Sequence, residues 1–95
     1  MNHITTRPGV VSLEIHGFFF LAADREARKT CPYIRPISET GAFVWKLLCE
    51  GKSVEEIISL TEEEFDVPES ADLKRDIFNF INHLKEQNYI IEEKG

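Results

Sequence analysis

The sequence predicts an α+β fold, a three-stranded antiparallel sheet followed by a three-helix, winged helix-turn-helix-like bundle. Three observations carry this expectation. Extended, β-prone runs fill the first third of the chain, apolar residues recur at helical spacing from Ser38 onward, and Val67-Pro68-Glu69-Ser70 breaks the chain before the last helix. At 95 residues the chain is expected to be a single domain over 1–95, with residues 1–8 and 92–95 as flexible tails. Its 42% hydrophobic content is that of a packed core and not of a disordered segment.

The first strand is expected at Val10–His16, where Val11, Leu13 and Ile15 fall on one face and Ser12, Glu14 and His16 on the other, the period of a half-buried strand. Gly17 allows a tight reversal. Phe18–Ala23 is apolar at every position, so it is placed at the sheet centre with cover on both sides. The segment from Asp24 to Pro32 turns polar and basic and reads as a loop. Tyr33-Ile34-Arg35-Pro36-Ile37 is the third extended run; Pro36 cannot donate to a ladder, which assigns this strand to an edge.

Ser38 is the expected N-cap of a helix that stops at Gly51, with Phe43/Leu47 and Val44/Leu48 as apolar pairs and Trp45 in the core. Ser53-Val54-Glu55-Glu56 is a capping box opening a second helix that carries Ile57, Ile58 and Leu60. The third helix is expected from about Ala71 to Gln87, on the stripe Leu73, Ile77, Phe80, Ile81 and Leu84, with Asn88 as its left-handed stop. A short strand, Tyr89-Ile90-Ile91, follows. Phe78 with Ile77 and Ile81 widens the apolar face of the last helix, which fits either full burial or an open groove.

Little in the chain points to catalysis. His3, His16 and His83 sit on a tail, a strand face and a helix with no common spacing, and no phosphate-loop or zinc-helix motif is present. Cys31 and Cys49 fit no metal or redox spacing; Cys49 reads as helix packing and Cys31 as loop. Glu62, Glu63, Glu64 and Asp66 read as a solvated helix face. No metal, cofactor or catalytic residue is expected. No apolar run reaches the ~18 residues a membrane helix needs, and a cytoplasmic location without a membrane partner is the expectation.

Charge sharpens the choice of partner. Acidic residues number 17 and basic ones 11, a net charge of −6. Residues 1–49 hold 6 basic and 4 acidic groups (net +2), and residues 50–95 hold 5 basic and 13 acidic groups (net −8). The helices that look like a DNA reader are therefore the acidic half, which argues against a nucleic-acid partner.

The run Ile37-Ser38-Glu39-Thr40-Gly41-Ala42-Phe43-Val44-Trp45-Lys46-Leu47-Leu48-Cys49-Glu50-Gly51 resembles the family of pyrroloquinoline quinone biosynthesis protein D. The likeness continues through Lys52–Ile58, Glu64–Pro68 and the helix ending Leu84–Ile90. It implies a peptide chaperone, a recognition element for ribosomally made and modified peptides. The leader of the precursor peptide would add as a strand to the edge of the third strand and dock on the last helix. A partner enzyme, often of the radical S-adenosylmethionine class, would then modify the peptide. Carried onto this chain, the implied site is Tyr33, Ile34, Arg35 and Ile37 on the strand with Lys74, Ile77, Phe78 and Ile81 on the helix. Arg25, Arg28, Lys29 and Arg35 lie near that edge, either to steer an acidic leader or to solubilise a loop. Gly41 departs from the family's usual alanine-like residue, and Pro36 takes one donor from the edge. A winged-helix DNA-binding regulator and an acidic interaction or dimerisation module are the competing readings, with the chain a monomer or homodimer.

Overall fold

The computed structural model describes residues 2–29, 34–66 and 71–94. Strands β2 (Val10–Ile15) and β3 (Phe18–Ala23) form a hairpin with Ile15 opposite Phe18. The two residues between them, His16 and Gly17, have φ of 52° and 83°, the pair of left-handed conformations that a two-residue type I′ turn requires. Strand β4 (Arg35–Ile37) pairs antiparallel with the other side of β3, giving the order β2-β3-β4. Phe18–Ala23 is therefore the central strand, and the proline-bearing strand is at an edge.

Helix α1 (Glu39–Cys49) starts where the sequence predicts: Ser38 is extended and its hydroxyl accepts the Gly41 N–H at 2.9 Å. It ends in a Schellman turn, with the Lys52 N–H donating to the Leu47 carbonyl and the Gly51 N–H to the Leu48 carbonyl, each at 3.1 Å, around a left-handed Gly51. Helix α2 (Val54–Glu64) opens with the full capping box between Ser53 and Glu56. Helix α3 (Ala71–Glu86) closes with a second Schellman turn at Asn88, φ 67°. There the Tyr89 N–H reaches the Leu84 carbonyl at 2.9 Å, and both side chains are buried. The three helices and the inner side of the sheet enclose one apolar cluster built on Leu21, Val44, Trp45, Leu48, Ile57, Ile77 and Leu84. The buried Thr61 spends its hydroxyl on the Ile57 carbonyl at 2.6 Å.

Four expectations need correction. The expected tails at 1–8 and 92–95 are, among the described residues, largely strand: β1 (Asn2–Thr6) pairs antiparallel with β5 (Ile90–Lys94), forming a second sheet besides the three-stranded one. Ile4 packs on the core, and the Arg7 N–H bonds the Tyr89 carbonyl at 2.9 Å, which ties both chain ends to the end of α3. The apolar face of β2 is not buried: Val11, Leu13 and Ile15 are all exposed, and only Val10 enters the core. The hairpin register decides this, because Leu21 and Ala23 face the helices and their partners across the ladder are Ser12 and Val10. For the same reason β3 has cover on one side only, and Phe18 is exposed. Cys49 is exposed at the end of α1 and does not pack, while Cys31 lies outside the described residues.

Candidate functional site

The open edge of β4 follows from the register. Beside a two-residue turn the closing pair Ile15 and Phe18 is hydrogen-bonded, so Phe18, Phe20 and Ala22 spend their backbone groups on β2. Phe19 and Leu21 then bond β4, through Ile37 and Arg35. The backbone groups of Ile34 and Pro36 consequently point away from the sheet. Pro36 has no N–H, so its cost falls on the open edge and not on the ladder. What this edge offers is the Ile34 N–H and carbonyl and the Pro36 carbonyl, available to a further extended chain.

The edge leads directly into a cleft. Ser38, the residue after β4, lines a cavity of about 240 Å³ together with Thr40, Gly41 and Val44 of α1. Leu73, Asp76, Ile77 and Phe80 of α3 form its other wall. Gly41 shapes it: a Cβ there would stand 3.2 Å from the Phe80 ring, so glycine allows α3 to lie close to the start of α1. At the Gly41 departure, a Cβ would ask the Phe80 ring to shift by a few tenths of an ångström. Arg35 reaches from β4 to the residue just after α3, its Nη1 donating to Gln87 Oε1 at 2.8 Å. Its Nε is buried and has no hydrogen-bond partner among the described residues. A buried donor of that kind is costly unless something arrives to accept from it.

The expected site residues divide. Ile34 lies on the open edge and is 67% exposed. Arg35 and Ile37 point to the helix side, Ile37 half-buried against the core. Tyr33 lies outside the described residues. Ile77 reaches the cleft from a buried position, and Ile81 is buried in the core. Lys74 and Phe78 are elsewhere: they line a separate groove between α2 and α3 with Ile58, Glu55, Ser59 and Glu62. Phe78 is 48% exposed there, which realises the open-groove alternative, though on the flank of α3 that faces away from the β4 cleft. The cleft residues the sequence reading passed over are Leu73, Asp76 and Phe80. Leu73, Ile77 and Phe80 share one helical flank at spacings of four and three, a signal that core packing produces equally well.

The basic residues before β4 are partly engaged locally, with Arg28 Nε donating to the Ala23 carbonyl at 3.2 Å and Lys29 paired with Glu26 at 3.3 Å. Among the described residues no three metal-binding side chains converge, and no helix is long and apolar enough to cross a membrane. What the described residues bring together is one open β-edge at β4 and a cleft lined by Val44, Leu73, Ile77 and Phe80 with one carboxylate, that of Asp76.

Solved structures place this architecture in a class. The fold resembles that of TbiB1 in complex with the TbiA(beta) leader peptide, at a TM-score of 0.70 and 23% identity over 90% of this chain and 93% of that one. It also resembles a lasso peptide synthetase B1 complexed with the leader peptide, at a TM-score of 0.71 and 19% identity over 94% and 98%. No curated protein sequence matches closely enough to count as a relative. The family model of coenzyme PQQ synthesis protein D matches residues 36–90, more than half of the chain, and the protein belongs to that PqqD family.

Proposed function

We propose that the protein captures the leader of a ribosomally made precursor peptide by adding it as a strand to the open edge of β4. The bound leader's inward side chains then sit in the cleft between α1 and α3. The observation that carries this reading is the continuity of the edge with the cleft: backbone groups at Ile34 and Pro36 supply affinity, and Val44, Leu73, Ile77 and Phe80 supply apolar selectivity. The family membership and the leader-bound relatives support it. In the same reading α2, α3 and the β1–β5 ladder form a winged helix-turn-helix-like unit whose last helix serves a peptide. The protein acts in the cytoplasm and hands its peptide to a separate modifying enzyme, for which the family resemblance favours the radical S-adenosylmethionine class. The core of the site is Ile34, Arg35, Ile37 and Ile77, with Leu73, Asp76 and Phe80 added; Tyr33, Lys74, Phe78 and Ile81 flank it.

The test uses the Ile34→Pro variant and a precursor leader peptide that the wild-type protein binds, by calorimetry. Proline removes an N–H that faces the open edge and leaves the β3 ladder untouched, so the thermal midpoint is expected to hold while affinity falls about tenfold or more. Unchanged affinity in a folded variant sinks the strand-addition reading.

A further inference from the structure

Arg35 brings to the open edge a charge that nothing around it balances. Its Nη1 donates to a neutral amide, that of Gln87. Nη1 lies on the Cδ side of the guanidinium, so Nε and Nη2 make up the other fork, and among the described residues neither has an acceptor. Nε is also shut off from solvent, so water does not satisfy it. Among the described residues Arg35 makes no ion pair. Asp76, the carboxylate of the cleft, sits about three helical turns before Gln87, roughly 16 Å along the axis and far beyond the ~4 Å of an ion pair. A guanidinium stays ionised at physiological pH, and its fork matches a carboxylate better than any other acceptor. The half of the chain that holds it, residues 1–49, is the positive one at +2.

We propose that Arg35 reads an acidic side chain of the bound leader and thereby fixes the register of the added strand; this rests on strand addition at β4. Arg35 and Ile37 point to the helix side, while the backbone groups of Ile34 and Pro36 face outward. A chain on that edge sets one residue opposite Arg35 on the same face, with Cβ atoms about 5 Å apart, which an arginine and an Asp or Glu span easily. In whichever direction the chain runs, its residue two positions on stands beside the half-buried Ile37. The residue four positions on, roughly 13 Å from the first, passes Ser38 and enters the cleft of Val44, Leu73, Ile77 and Phe80. The leader that fits carries Asp or Glu with apolar residues two and four positions from it. A slip of one residue turns all three to the wrong face, and a slip of four brings the acid to the cleft wall that holds Asp76. The cation at one end of the groove and the carboxylate at the other therefore admit one register.

The probe is a displayed library of random peptides about twelve residues long, enough at ~3.3 Å per residue to run from Ile34 through the cleft. Wild type is expected to enrich Asp or Glu at two and four positions from apolar residues. By calorimetry, changing that acid to its amide in the best-binding peptide is expected to lower affinity about tenfold or more, since a charge-assisted pair on a half-buried arginine is lost. In Arg35→Met the acidic preference disappears and the amide change costs no affinity, the coupling that a direct pair requires. Arg35→Lys recovers only part of the preference, because an ammonium cannot form the fork. Far-UV dichroism checks that the variants fold, and the amide change on wild type decides the matter if Arg35→Met does not. Peptides that lose affinity for Ile34→Pro yet show no acidic preference overturn the inference and leave strand addition in place. An acidic preference that survives in folded Arg35→Met overturns it as well, since another cation then reads the acid. Binding indifferent to Ile34→Pro removes the added strand itself, and the inference with it.

Discussion

Single residues set the geometry at both ends of the helices. Ser53 and Glu56 satisfy each other's backbone at the start of α2, and the hydrogen bond from the Ser53 backbone N–H, followed by that of its side chain, holds the Glu56 carboxyl below the usual carboxylate value. A carboxyl depressed in the folded state contributes stability that is present above its unfolded pKa and is lost as pH falls through the folded one. Wild type is therefore expected to be more stable than Glu56→Gln at pH 7, with the gap closing on acidification below about pH 4. Urea unfolding of both chains at several pH values measures it; a gap that does not depend on pH contradicts the carboxylate's role. This capping box was legible from four consecutive letters, because capping is local chemistry. The close approach at Gly41 was not: the Phe80 ring that packs against it lies 39 positions along the chain.

At the scale of elements, helices were readable and the strands only in part. The three helices lie where their spacing and caps place them, because a helix satisfies its own backbone and needs only one buried stripe. Strand β1 was not seen, since Asn2-His3-Ile4-Thr5-Thr6 holds one apolar residue and its partner, β5, is at the far end of the chain. The buried face of β2 was assigned the wrong way round. Alternation shows that a strand has two faces, but the hairpin register and the position of α1 decide which one is covered. If β1 is a working strand, Ile4→Ala costs about 1–2 kcal/mol in urea unfolding, a partly buried share of the usual cost of Ile truncation. In a loose tail the same change would stay within about 0.5 kcal/mol.

The whole molecule separates its surfaces by chemistry. Helix α2, with five carboxylates and no basic residue, lies with the other helices on one side of the β2-β3-β4 sheet, and the sheet's outer face, apolar and uncharged, lies on the other. The split of charge along the sequence argued against phosphate backbones as partners. The cleft itself was hidden because Leu73, Ile77 and Phe80 look like any core stripe until β4 and α1 are seen to stop short of covering them. The central claim is strand addition at β4, and the backbone itself reports on it. Amide hydrogen exchange with saturating leader peptide is expected to protect the Ile34 N–H, which the register turns away from β3, while the outward amides of Ser12 and Glu14 on β2 exchange as before. Binding that leaves Ile34 unprotected, or that protects the β2 edge instead, would contradict it.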